Sequence, residues 1–156
     1  MLLWFAGMSV LGVLAVFQSP GVDYRFVMAG SVLPVAEGFL GHPFVLHTLL
    51  GAVVVLGLTI VTTRSHRVLR RRLLGFSLGL FAHLVLDLVW ARSRLFWWPF
   101  LGWSFGRSEI PELSRGPLGF VLELIGLAAL GWCWHRFGLA DAGRRHRFLT
   151  TGRLGS

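Results

Sequence analysis

The chain has 156 residues, 54% hydrophobic and only 14% charged, where soluble domains are about 25% charged; with a mean hydropathy of +0.69 this excludes an ordinary soluble domain and indicates one compact integral membrane unit. All fifteen basic residues are arginine, against seven acids, for a net charge of +8. They flank apolar segments, where the positive-inside rule needs them, so they are read as topology signals and not as a nucleic-acid-binding face.

The first apolar segment covers residues 2–17, LLWFAGMSVLGVLAVF. No charge precedes Asp23, and Gln18-Ser19-Pro20 offers no small-residue cleavage pattern. It is therefore read as a retained helix and not a signal peptide, ended by Pro20-Gly21. Residues 23–33 follow, with Asp23 as an N-cap and Pro34 as a stop. This piece is too short to span, so an interfacial or re-entrant helix is expected. A loop rich in Pro and Gly then carries Glu37 and His42.

The second span is expected over residues 44–62, with His47 in its first turn. The loop RSHRVLRRR, residues 64–72, carries five arginines; anionic lipid headgroups suit such a loop. The third span, residues 73–90, reads LLGFSLGLFAHLVLDLVW. Its four-step row is Gly75, Gly79, His83, Asp87, all on one helical face. Two glycines there allow another helix to come close. Ionisable groups inside a span cost at least ~2.5 kcal/mol on insertion scales, so His83 and Asp87 should face protein. The stretch LFWWPFLGWSF after it has the Trp and Phe content of a membrane-interface belt. The fourth span is expected over residues 117–134, with Glu123 inside it, and a basic tail over 135–156. The single cysteine, Cys133, excludes an intrachain disulfide.

The expected fold is thus all-α, with about four transmembrane helices and one short re-entrant or interfacial helix. Ten arginines fall in the second loop and the tail, which places both termini in the cytoplasm. On that count Asp23, Glu37, His42, His47, His83, Asp87 and Glu123 all fall toward the outer face. Imidazole and carboxylate are ligands of zinc and other divalent transition metals. His83 and Asp87, one turn apart, can both reach one ion, and His47 could add a third ligand. Glu37 or Asp23 could complete the set or act as the base on a bound water. The alternative is that His83 and Asp87 bond to each other or to Arg92 or Arg94 and simply hold the bundle. Glu123 suits a structural partnership.

The order GSVLP (30–34), HTLL (47–50), AHLVLD (82–87) and WWPFLGWSF (97–105) resembles bacterial inner-membrane proteins described as membrane-bound metal-dependent hydrolases. The remainder, with arginine as its only basic residue, is similar to membrane proteins of high-GC actinobacteria. The resemblance implies His47, His83 and Asp87 as metal ligands; the expected cofactor is a divalent metal ion, zinc or manganese, which the imidazole and carboxylate donors suit. Where the family carries an aspartate after Leu-Pro, this chain has Val35, and Glu37 stands two positions on as the second acid. The expected activity is hydrolysis of a lipid-linked or amphipathic substrate, with Glu37, and less directly Asp23, handling water. The alternatives are a non-catalytic scaffold or partner subunit, and an ion or proton pathway through His83, Asp87 and Glu123.

Overall fold

A computed structural model describes residues 1–19, 21–40, 45–103 and 116–154. Among these are seven α-helices and no strand: α1 (Leu2–Phe17), α2 (Tyr24–Val32), α3 (Leu49–Thr62), α4 (Arg67–Leu86), α5 (Ser93–Phe96), α6 (Gly116–Arg136) and α7 (Ala142–Thr151). Three short 3-10 segments, Leu33–Leu40, Val45–His47 and Val89–Ala91, connect them. Among the described residues α6 alone is long and apolar enough to cross a membrane, while α1 and α3 are shorter apolar helices.

The third apolar segment is shifted from its expected bounds. Its helix begins at Arg67, so four of the loop arginines lie in its first two turns, and it ends at Leu86 with Asp87 as the C-cap. Leu88 then takes a left-handed conformation (φ 57°) and turns the chain away.

Helix direction follows from which residues touch. Asp23 lies beside Gly75, Val27 beside Gly79 and Ser31 beside His83, so α2 runs parallel to α4. Phe5 meets His83 at one end of α1, while Val10 and Val13 pack with Tyr24, Cys133 and Leu154 toward the other. Helix α1 is therefore antiparallel to α2. It is parallel to α6, which it crosses where Gly7 meets Gly126. Helix α3 returns along α4, with Thr59 Oγ1 3.4 Å from Ser77 Oγ.

The chain thus alternates direction through five legs, α1, α2, α3, α4 and α6. One end carries His47, His83 and Asp87; the other carries the arginines at the start of α4, those of the tail, and α7. In the structure the start of α1 and the docked tail lie at opposite ends of the bundle. Because α2 is a full reversal of α1, α1 starts at the histidine end and the tail docks at the arginine end. Glu123 is a structural partner, as expected, but of α1: its carboxylate accepts from the Trp4 N–H at 3.0 Å and lies 3.1 Å from the Met1 amine. A carboxylate is favoured at a helix N-terminus, where backbone N–H groups lack internal partners.

The α2–α4 contact is backbone against backbone. A methyl group at Gly79 would overlap the Val27 carbonyl and press on the Ser31 amide, and one at Gly30 would overlap the Phe76 carbonyl. Gly131, in α6, has open space around it. We expect Gly79→Ala to lower stability by about 1–3 kcal/mol, the usual cost of overpacking, and Gly131→Ala to leave it unchanged or slightly raised. Thermal unfolding of the two variants in one detergent checks this; equal melting temperatures would refute the backbone contact.

Candidate metal centre

His47, His83 and Asp87 are buried together, each with one candidate ligand atom within 4.8 Å of the others. The two imidazole rings meet edge to face with centroids 5.1 Å apart. Around a tetrahedral ion with bonds of 2.0–2.1 Å, ligand atoms lie roughly 3.4 Å apart. The trio therefore fits one ion after side-chain adjustments on the order of an ångström.

Each residue is placed by local chemistry. His83 is in the last turn of α4, facing α2 and α1. Its Nδ1 is 2.8 Å from the Ser31 carbonyl, and its ring packs on Phe5 at a centroid distance of 4.1 Å. That carbonyl is available for a simple reason. Where α2 tightens into the 3-10 segment, the Ser31 C=O would pair with the N–H of residue 34, and Pro34 has none. The Ser31 hydroxyl is held separately, between the Met28 and Phe5 carbonyls and the Ser9 hydroxyl.

His47 lies in the 3-10 turn before α3, not in the helix itself. Thr48 caps α3 by accepting from the Gly51 N–H at 2.9 Å and donates to the Val45 carbonyl at 2.7 Å. The turn folds back so closely that a side chain at Gly51 would overlap the Val45 carbonyl. His47 Nδ1 then sits 2.7 Å from Glu37 Oε2, while Glu37 Oε1 accepts from the Leu46 N–H at 3.0 Å. Asp87 caps α4, its N–H bonded to the His83 carbonyl at 2.8 Å, which keeps it one turn beyond His83.

The pattern around the two rings matches that of metal-binding histidines. Such residues typically donate their second N–H to a carboxylate or a backbone carbonyl, which fixes the ring and the tautomer. Here Glu37 holds one ring and Ser31 the other, and Nε2 is the atom each ring has to offer an ion. The donor set of two imidazoles and a carboxylate suits zinc, manganese and related ions.

Two expected catalytic residues have other positions. Glu37 reaches the site, but as the partner of His47. Asp23 is not brought there. Its neighbour Gly75 is eight residues before His83, about 12 Å along α4. Asp23 instead caps α2, binds Arg25 (Arg25 Nη2 to Oδ2 2.8 Å) and lies 3.9 Å from Arg72 Nε. Arg25 also donates to the Leu149 and Thr150 carbonyls at the end of α7. Sequence reading grouped Asp23 with the histidines because it treated α2 as a local excursion. Val35 is half-buried. His42 lies outside the described residues, as do Ser104 and Phe105 of the aromatic stretch. Trp97, Phe100 and Trp103 are exposed at the histidine end. Arg92 and Arg94 follow Asp87 in the short segments leading to them.

Ser31 and Phe5 were missed. The signal for Ser31 was the proline three positions on, read only as a stop.

The described residues thus form an apolar helical bundle with two histidines and an aspartate buried together at one end, a group that could hold a metal ion. The sequence profile of the YdjM inner membrane protein family matches residues 4–145, and the chain belongs to that family. No curated protein and no solved structure matches it.

If Glu37 orients His47, Glu37→Gln should weaken metal binding by about 10–100-fold while retaining some. Asp23→Asn should leave metal content unchanged and lower the melting temperature. Metal titration with a competing chelator separates the two; loss of metal in Asp23→Asn would contradict this placement.

Proposed function

We propose that the protein is a metal-dependent hydrolase of the inner membrane, with His47, His83 and Asp87 holding one zinc or manganese ion. The observation that carries this is the pair of second-nitrogen contacts, Glu37 to His47 and Ser31 to His83, made by rings that share a buried site with Asp87. Three protein ligands leave a fourth position for water or substrate, the arrangement of catalytic and not structural sites. When bound, such an ion supplies Lewis-acid chemistry, acidifying a water and polarising the bond to be broken. The chain's own residues orient the ligands: Glu37 fixes His47, the Ser31 carbonyl fixes His83, and the Phe5 ring covers one face of His83.

The remaining features concern placement. We read α1, α2 with its 3-10 continuation, α3, α4 and α6 as the membrane-embedded legs, five in place of four. With the arginine end in the cytoplasm, α1 begins outside, α7 lies inside, and the site lies in the outer half. The exposed Trp97, Phe100 and Trp103 then sit at the outer interface, where a lipid-linked or amphipathic substrate would enter. A second reading keeps the same residues for packing alone, since Phe5 and Ser31 also join α1 and α2 to α4; it describes a non-catalytic scaffold.

Elemental analysis of the purified protein should give about one zinc or manganese per chain, lost in His83→Ala. Esters and phosphodiesters of long-chain alcohols, presented in micelles, should be cleaved by wild type, not by His83→Ala, and not after chelation until the ion is returned. Absence of metal, with no change in unfolding temperature when zinc or manganese is added, would overturn the hydrolase reading in favour of the scaffold.

A further inference from the structure

The arginine end holds a second feature that the metal centre does not use. Between the end of α6 and the docked helix α7 lies a cavity of about 560 Å³ whose walls include Arg136, Arg144, Arg147 and Arg153, with Phe137 and Leu139 beneath them. Asp141 also lines it, but its Oδ1 is occupied in capping α7, accepting from the Arg144 N–H at 2.8 Å. Four guanidinium groups around one cavity suit a phosphate, which accepts forked hydrogen bonds from arginine.

An adjoining cleft of about 380 Å³ shares Arg136 and Phe137 with this cavity and is otherwise lined by Leu14, Gln18, Ser19, Trp132 and Leu154. Trp132, one turn before Arg136, is half exposed on the outside of α6. A cationic cavity thus continues into a cleft of mixed polarity, its apolar part formed by Leu14, Trp132, Phe137 and Leu154, that leads toward the face of α6, among the described residues the one helix long and apolar enough to cross a bilayer. A free phosphate needs only the first; a phospholipid needs both.

We propose that this composite pocket binds an acidic phospholipid of the leaflet at the arginine end. Its phosphodiester would lie among Arg136, Arg144, Arg147 and Arg153 and an acyl chain along Leu14, Trp132 and Leu154. The proposal is independent of hydrolysis at the histidine end. The bound lipid bridges α1, α6 and α7, so it stabilises the docked tail as well as the bundle.

The test uses the full chain in a neutral detergent, with dioctanoyl phosphatidylglycerol as ligand and native mass spectrometry plus thermal unfolding as readouts. Wild type should bind it and melt higher, and dioctanoyl phosphatidylcholine should do neither to the same degree. The double variant Arg144→Gln/Arg153→Gln should bind about 25-fold more weakly, about fivefold per arginine. The charge-matched Arg92→Gln/Arg94→Gln, exposed at the histidine end, should bind as wild type does. If the double variant fails to fold, Arg136→Gln and Arg147→Gln singly should each weaken binding about fivefold. Trp132→Ala should weaken binding of the lipid but not of glycerol phosphate. Equal losses in both double variants would overturn the site in favour of general charge attraction. Displacement of the lipid by millimolar inorganic phosphate, with equal stabilisation, would overturn the lipid assignment in favour of a soluble phosphate.

Discussion

The parallel contact between α2 and α4 is the constraint on which the site depends. Gly30, Gly75 and Gly79 leave no side chain between the two backbones, so the α2 carbonyls lie directly against α4. Two helical turns beyond Gly75, that closeness places the Ser31 carbonyl 2.8 Å from His83 Nδ1. In an interior with little water, an imidazole N–H without an acceptor costs several kcal/mol. The carbonyl therefore both stabilises the ring and fixes which nitrogen carries the proton. The glycine stripe and the histidine form one device, since any side chain at Gly79 would lift the acceptor away from the ring.

The same contact determines what lies at the opposite end. Because α2 starts beside Gly75, its cap Asp23 is delivered next to Arg72 and the tail. Gly152, at φ 71°, lies where a side chain would overlap the Asp23 carboxylate, and its carbonyl accepts from the Tyr24 N–H at 2.8 Å. Arg25 closes the arrangement by donating to carbonyls at the C-terminal end of α7, where a cation is favoured. The docked tail and the His47–His83–Asp87 group thus lie at the two ends of one short helix, which explains why an acid grouped with His47 from sequence belongs to the ion cluster with Arg25 and Arg72.

Much of the site was legible because it is local. The four-residue spacing of His83 and Asp87 puts both on one face whatever the rest of the chain does, and His47 follows from its place at the start of an apolar run. The helical class follows from apolar segments without strand alternation. What was not legible depends on contacts far apart in sequence. The nine-residue length of α2 argued against a leg of the bundle, yet its 3-10 continuation through Leu40 extends it at about 2 Å per residue. Pro34 reads as a stop from sequence; its second effect, removing the donor that would compete for Ser31, appears only once His83 is seen 52 residues away. Glu37 was placed near the site from sequence, but its bond to His47 was not legible, because nothing in the sequence pairs the two.

The revised direction of α2 also strengthens the argument for orientation. As a four-span bundle, the chain carried five arginines on its outer side, an awkward number for a rule based on their exclusion. With α2 reversed, Arg25 joins the ten arginines of the other end, and Arg92 and Arg94 are what remains on the histidine side among the described residues. Asp23 moves with Arg25 and partly neutralises Arg72, so among the described residues the acids left at the histidine end are Glu37 and Asp87 of the candidate site and Glu123, bonded to the start of α1. Along α4, Arg72 and His83 are eleven residues apart, about 16 Å. That is just over half of a ~30 Å hydrocarbon layer. If the arginines mark the cytoplasmic boundary, His83 lies past the midplane and Asp87 a further turn out. On that orientation, the helix geometry puts the site in the half of the layer away from the arginines.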